Sequence, residues 1–188
     1  MTKRTRKPNL ERLNKKQWLI QGLEALRVYG LRGLGAEPLA KMIGVTKGSF
    51  YNHFKDRQEL LNSLLDLWEI EVTVEIINHI ARVPGGPKKR LLAMMEYVLK
   101  DKFDKYDPAM RAWASHDEIA AEVVRRVDAE RLSFITSLFN EAGFSDKQAE
   151  MRARVMYYYM IGEFSIMTDD LDTKRMNLLK STSKFLTP

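Results

Sequence analysis

The sequence contains no cysteine. Disulfide bonds, thiolate metal sites and a cysteine nucleophile are therefore excluded. The chain also lacks an uninterrupted apolar run of about eighteen residues, the length that a membrane-spanning helix needs. No apolar signal-peptide core follows the basic N-terminus. These absences predict a cytoplasmic protein that makes no use of a membrane.

Signatures of catalysis are equally scarce. None of the three histidines forms a pair with the spacing of a zinc-binding HExxH motif; they are His53, His79 and His116. The chain has no phosphate-binding glycine loop and no GxSxG nucleophile elbow. Its acidic cluster at 169–172 lies where a helix cap is expected. We therefore predict that the protein is not an enzyme and uses no cofactor or metal.

Charge is unevenly distributed along the 188 residues. Residues 1–57 contain 13 Lys and Arg against 4 Asp and Glu, whereas the rest of the chain contains 18 against 21. A basic head on a mildly acidic body is typical of a protein that binds a polyanion. The alternative is a basic, solvated tail without a partner.

Apolar periodicity predicts an all-α fold, because hydrophobic residues recur at helical spacing and no segment shows strand-like alternation of useful length. Thr46, Asp56 and Asp146 are predicted to cap helices, and Gly30 and Gly143 to end them. About nine helices are expected: one from Asn9 or Asn14 to about Tyr29, then 36–43, 47–53, 56–80, 88–105, a short turn at 108–114, 117–142, 146–167 and 172–186.

The most informative stretch is 33–60, which predicts a helix, a tight turn at Gly44 and a second, short helix. This geometry can place the second helix in the major groove of DNA. Phe50 and Phe54 lie four residues apart and are predicted to face the core, and Gly48 allows close approach to DNA. The outer face is polar and consists of Thr46, Lys47, Ser49, Tyr51, Asn52 and His53.

Residues 40–60 read AKMIGVTKGSFYNHFKDRQEL, a motif that resembles the DNA-binding domain of the tetracycline-repressor (TetR) family in order and spacing. The resemblance extends over residues 12–62, about a third of the chain. Two positions depart from the family pattern. Gly35 stands where the family usually has a serine or threonine helix cap, and Arg57 stands where it often has lysine.

The resemblance implies a sequence-specific transcriptional regulator, a repressor released from palindromic operator DNA by a small molecule. A transcriptional activator and a DNA-binding protein of low specificity are the alternatives.

The implied phosphate contacts are Thr46, Lys47, Tyr51, His53 and Arg57. The implied neighbours of base edges are Gly48, Ser49 and Asn52. A basic arm of Lys3, Arg4, Arg6 and Lys7 resembles arms that follow the backbone or enter a minor groove. The alternative for each polar residue is an ordinary solvated surface, or for His53 a hydrogen bond inside the domain.

The two parts of the chain are predicted to divide these tasks. Residues 1–55 would form the arm and the helix-turn-helix domain, and residues 56–188 a helical regulatory and dimerisation domain. Surplus apolar surface on helices 146–167 and 172–186 favours a homodimer, with a monomeric core as the alternative. Two apolar stripes are predicted on the first of these helices and one on the last: Ala149, Ala153, Met156, Met160, Phe164 and Met167; Val155, Tyr159, Gly162 and Ile166; and Met176, Leu179, Ser183 and Leu186. By resemblance, the middle helices would enclose an inducer, with plain core packing as the alternative. The candidate ligand contacts are Met94, Tyr97, Trp113, His116, Phe134 and Tyr157.

Overall fold

The structure is a computed structural model that describes residues 13–101, 103–166 and 168–188. Within those ranges it is helical and has no strand, which confirms the all-α prediction. A 3-10 turn occupies Gly30–Gly33, a π turn Ile70–Val74 and a second 3-10 turn Phe103–Tyr106. The α-helices are α1 (Lys15–Tyr29), α2 (Ala36–Ile43), α3 (Lys47–Tyr51), α4 (Arg57–Glu69), α5 (Glu75–Ala81), α6 (Pro87–Asp101), α7 (Asp107–Ala114), α8 (Glu118–Glu141), α9 (Asp146–Ser165) and α10 (Asp172–Leu186).

The chain divides into two compact units, Met1–Leu67, which we call the head, and Trp68–Pro188, which we call the body. The division falls inside α4, whereas the sequence predicted it at the start of that helix. A capping signal marks where a helix begins, but it does not show which core each turn of the helix joins.

Helix α1 begins at a reciprocal capping box. The side chain of Asn14 accepts a hydrogen bond from the Gln17 backbone N–H at 2.9 Å, and the Gln17 side chain accepts one from the Asn14 N–H at 2.9 Å. Both interactions satisfy donors that lack a partner within the first turn of the helix. Of the two predicted starts, the structure therefore selects Asn14. The helix ends at Gly30, whose positive φ of 62° suits a residue without a side chain.

The predicted long helix 56–80 is divided by the π turn into α4 and α5. Asp56 caps α4 as expected, accepting from the Glu59 N–H at 2.9 Å. The Glu59 carboxylate, however, accepts from the Lys55 N–H at 2.8 Å and so closes the box one residue earlier than predicted. The predicted helix 88–105 likewise ends sooner, at Asp101, and is followed by a 3-10 turn.

Helix α8 is the longest element of the body, and it packs against α6, α7 and α9. Asp117 caps it by accepting from the Ala120 N–H at 2.9 Å. It ends just before Gly143, which has a φ of 93°. The prediction that Asp146 caps α9 is wrong by one residue. Ser145 has the extended backbone of a cap, and Asp146 already lies in the first helical turn.

Candidate nucleic-acid interface and ligand cavity

The tight turn between α2 and α3 is fixed by backbone geometry. Gly44 has a φ of 83°, a left-handed conformation that side chains disfavour. Its N–H and that of Val45 both donate to the carbonyl oxygen of Ala40, at 2.9 and 3.0 Å, which closes the end of α2. Thr46 is extended, and its hydroxyl accepts from the Ser49 N–H at 3.3 Å. Thr46 therefore caps α3, which starts at Lys47, three residues after Gly44, as the capping pattern predicted.

An aromatic cluster holds the inner face of α3. Phe50 and Phe54 are each only 1% exposed. The ring of Trp18 on α1 meets both of them edge-on, with centroids 6.0 and 6.3 Å apart. The ring of His53 lies 5.8 Å from the same tryptophan and is half-buried. Edge-to-face aromatic packing fixes the orientation of α3, so the opposite face of the helix is presented outward.

The outward face contains most of the predicted DNA contacts. Thr46, Lys47, Gly48, Tyr51 and Asn52 are exposed, and Ser49 is half-buried. Tyr51 is 54% exposed, and its ring packs nearly perpendicular to that of Phe50 with centroids 5.3 Å apart, so an aromatic side chain is held at the surface. A Cβ added to Gly48 would approach nothing closer than the Thr46 hydroxyl oxygen, at 3.7 Å. The fold of the head therefore does not itself require glycine at that position.

Arg57, a predicted phosphate contact, has partners inside the head. Its Nε donates to the carbonyl oxygen of Leu34 at 2.6 Å and its Nη2 to that of Leu31 at 3.1 Å. The first residue of α4 is thereby tied to the segment that precedes α2. The sequence did not suggest this link, because carbonyl acceptors cannot be distinguished from sequence. The arm residues Lys3, Arg4, Arg6 and Lys7 lie outside the described residues.

The start of α2 shows what the departure at Gly35 changes. Gly35 occupies the cap position with an extended backbone, and no side chain caps the helix. A serine or threonine hydroxyl at this position would satisfy one of the N–H groups in the first turn. The glycine therefore keeps the start of α2 in place but removes a hydroxyl from this edge of the head.

Residues 21–64 match the family model described as bacterial regulatory proteins of the tetR family. The head is a TetR-family domain. A sequence comparison is consistent with this family: the chain is 33% identical over 79 residues to the HTH-type transcriptional regulator AcrR of Shigella flexneri. That match covers 40% of this chain and 37% of the regulator, so it spans little more than a third of the relative's length.

Solved structures extend the likeness beyond the TetR-family head. A TetR transcription regulator from Haloarcula marismortui superposes with a TM-score of 0.71 at 19% identity, over 92% of this chain and 95% of that one. A TetR/AcrR-family regulator from Thermobifida fusca gives 0.65 at 18% identity, over 92% and 96%. At such identities the likeness concerns the fold, and it includes the helical body.

The body that follows the TetR-family head contains a cavity of about 50 Å³. Three of the six predicted ligand residues lie in its wall, namely Met94, Phe134 and Tyr157. The other three do not. Tyr97 stacks on His79 at a centroid distance of 4.3 Å, Trp113 is buried in the core, and His116 is exposed beyond the end of α7. The remaining wall residues are Thr73, Ile76, Ile77, Val98, Arg131, Ile135 and Met160.

A charged network that the sequence analysis missed borders this cavity. Arg131 donates from Nη1 to the buried carboxylate of Asp107 at 2.8 Å and from Nε to the Thr73 hydroxyl at 3.1 Å. Arg111 binds both oxygens of Asp128, at 2.9 and 2.7 Å. One signal was available in the sequence: Arg131 lies four residues from an apolar residue on either side, which places it on the inner face of α8.

Tyr157 joins the two ion pairs. Its hydroxyl donates to Asp128 Oδ1 at 2.6 Å and accepts from Arg111 Nη2 at 3.2 Å and Arg131 Nη1 at 3.4 Å. Burial raises the pKa of the Tyr157 phenol, so the hydroxyl keeps its proton. Burial alone would raise the pKa of Asp128, but hydrogen bonds from Arg111 and Tyr157 outweigh it and lower that pKa.

Exposed apolar stripes lie on the last two helices, but they differ in part from the predicted ones. The predicted stripe through Ala149, Ala153, Met156 and Met160 is buried inside the body, and so are Leu179 and Leu186 of α10. Of the second predicted stripe on α9, Val155 and Ile166 are exposed. The apolar side chains left at the surface are Met151, Val155, Tyr158 and Ile166 on or just after α9, and Leu171, Leu178 and Phe185 on or just before α10.

Two further findings concern the part of the chain that the structure describes. No group of three or more His, Asp or Glu side chains there is arranged to hold a metal ion. No helix in that part is long and apolar enough to cross a membrane.

Proposed function

We propose that this chain is a homodimeric, sequence-specific DNA-binding transcriptional regulator. In this proposal it acts as a repressor that leaves palindromic operator DNA when a small molecule occupies the body cavity. The observation that carries the proposal is the construction of α3. The aromatic cluster of Trp18, Phe50 and Phe54 fixes one face of this short helix, and the other face exposes polar side chains.

The exposed face has the groups that DNA recognition needs. Lys47 supplies a cation and Tyr51 a hydroxyl for phosphate oxygens, and such contacts set position and affinity. Ser49 and Asn52 can donate to or accept from base edges, where sequence is read. Gly48, which the fold of the head does not require, leaves the helix bare where it would approach the bases.

The exposed stripes of α9 and α10 support a homodimer. Seven large apolar side chains on or beside these two helices are exposed, and such a concentration of apolar surface is typical of a protein interface. A two-fold dimer formed through these helices would contain two heads related by symmetry. Such a dimer would bind a palindromic site, with one half-site for each recognition helix.

Ligand control would use the segment that runs from α4 to α5. The head contains the first residue of this segment, Arg57, while Thr73, Ile76 and Ile77 near its other end line the cavity. A ligand that favours one arrangement of the segment would change DNA affinity by its difference in affinity for the two states. An activator would use the same coupling with the opposite effect on transcription.

The test is a selection of genomic fragments with the purified full chain. Binding to the recovered DNA is then compared with binding to scrambled DNA at about 50 and 200 mM salt, because phosphate contacts make affinity depend on salt. The proposal expects a short palindrome that binds on the order of a thousandfold tighter than scrambled DNA. Similar affinity for both DNAs and no common motif would instead identify a DNA-binding protein of low specificity.

A matched pair of variants assigns the effect to α3. Lys47→Ala removes one positive charge from the exposed face of α3, and Lys147→Ala removes one from an exposed position of α9 in the body. We expect the first to weaken operator binding and to reduce the salt dependence by about one counterion, while the second leaves both unchanged. Equal effects would mean that net charge alone, and not α3, determines binding.

A further inference from the structure

The wall of the body cavity is mostly apolar. Seven of its ten residues are apolar and come from α5, α6, α8 and α9. The three polar residues are Thr73, Arg131 and Tyr157. The class of ligand that this cavity can hold therefore depends on whether these three groups are available to it.

Arg131 is already engaged by a buried partner. It donates to both oxygens of Asp107, from Nη1 at 2.8 Å and from Nη2 at 3.4 Å, and the Asp107 side chain is only 2% exposed. A ligand carboxylate would have to displace Asp107 from the guanidinium. The displaced carboxylate would remain buried without its counterion, which is strongly unfavourable. The arginine in the wall is thus a poor anchor for an anion.

A cationic ligand finds no better partner. Asp128 accepts two hydrogen bonds from Arg111 and one from the Tyr157 hydroxyl. Together, Arg111, Arg131, Asp107 and Asp128 carry a formal charge of zero. A ligand ammonium would lie close to Arg131 and would have to be desolvated without a carboxylate to compensate.

From this wall we infer that the cavity binds an uncharged, mainly apolar molecule and discriminates against carboxylates and amines of the same shape. The inference rests on the proposed ligand-controlled function, whose cavity it specifies. At about 50 Å³ the cavity has room for a few heavy atoms. Met94 and Met160 lie in its wall, and their unbranched, flexible side chains can move to admit more.

The test uses the full chain labelled with 13C at the methionine methyl groups, observed by NMR. The probes are hexan-1-ol, hexanoate and hexylammonium at about pH 7.5, where the acid and the amine are both ionised. Met94 and Met160 report on the cavity. Met42 in the head and the exposed Met151 serve as internal controls, and Met→Leu substitutions assign the signals.

We expect hexan-1-ol to shift the Met94 and Met160 signals saturably, with an affinity at least about tenfold higher than that of either ion. The Met42 and Met151 signals should remain in place. The inference is overturned if hexanoate or hexylammonium binds as tightly as the alcohol. It is also overturned if no probe shifts the two signals, because the cavity would then be only a packing defect.

Two neighbouring residues of α6 provide a matched pair of variants. Val98 and Leu99 are 7% and 8% exposed, but only Val98 lines the cavity. Val98→Phe fills the space and should weaken hexan-1-ol binding at least tenfold on the same spectra, while Leu99→Phe should leave it within about twofold. Circular dichroism checks that both variants are folded, and the wild-type titration decides the inference by itself.

The outcome is separable from that of the proposed function, because DNA binding is measured on the same preparation without a probe. Specific operator binding together with a preference for hexanoate would overturn the ligand inference alone. A preference for hexan-1-ol without specific DNA binding would overturn the proposed function alone.

Discussion

The Nε of Arg57 donates to the carbonyl oxygen of Leu34 at 2.6 Å, joining the start of α4 to the segment before α2. A second hydrogen bond, from Nη2 to the Leu31 carbonyl at 3.1 Å, helps to fix the orientation of the guanidinium group. Arg57, whose position suggests a phosphate contact, therefore also stabilises the helix-turn-helix by linking two of its segments. The two roles lead to different experimental results.

We expect Arg57→Gln to lower the free energy of unfolding of the head by about 1–2 kcal/mol, because two hydrogen bonds from a charged donor are lost. DNA binding should weaken while its salt dependence stays nearly constant. Urea unfolding followed by Trp18 fluorescence, in a chain with Trp68→Phe and Trp113→Phe, measures the first effect. Unchanged stability with a salt dependence reduced by about one counterion would instead establish a phosphate contact.

Tyr51 and Ser49 should affect DNA binding in different ways. Tyr51 packs on Phe50 and is exposed at the surface. Tyr51→Ala should therefore lower the affinity for operator DNA and for scrambled DNA by similar factors. Ser49→Ala should mainly reduce the preference for the operator, by about 1–3 kcal/mol if the hydroxyl meets a base. Fluorescence anisotropy with both DNAs gives the two ratios. A Ser49→Ala variant with undiminished preference would remove Ser49 from the base-reading set.

The Asp128 network should make the body sensitive to acid. Because the pKa of Asp128 is lowered in the folded state, its stabilising contribution is complete above its ordinary pKa and is lost as the pH falls through the folded value. Asp128→Asn should therefore be less stable than wild type near pH 7 but lose less stability between about pH 5 and 3.

Urea unfolding at several pH values checks this difference. Asp172→Asn, at a position with a side chain 85% exposed, is the control and should follow the wild-type profile. Parallel profiles for wild type and Asp128→Asn would show that the ion pair with Arg111 contributes nothing to the pH dependence.

The dimer can be tested with two residues of matched exposure in the body. Tyr158 on the α9 stripe is 58% exposed and Ile119 on α8 is 57% exposed. Tyr158→Asp places a charge within the proposed interface and should shift the chain to monomers, while Ile119→Asp should leave the dimer intact. Sedimentation velocity distinguishes them. Monomeric wild-type protein, or equal dissociation of both variants, would contradict pairing through α9 and α10.

Local signals in the sequence determined much of the head. Helical periodicity indicated an all-α chain. Gly44 indicated the tight turn, and Thr46 indicated the start of α3. The spacing of Phe50 and Phe54 indicated the inner face of α3. Each of these features depends on residues within about one helical turn of one another, so the chain itself specifies them. The polar outer face of α3 follows directly, because residues on a short helix that do not face the core face outward.

Tertiary structure decided what depends on distant partners. The bond of Arg57 to carbonyl groups more than twenty residues away, and the pairing of Arg131 with Asp107, join separate elements that periodicity cannot relate. The same is true of the choice between apolar stripes on α9. Several of its faces carry apolar residues, and only the packing of α8 and α10 against it determined which of them remained exposed.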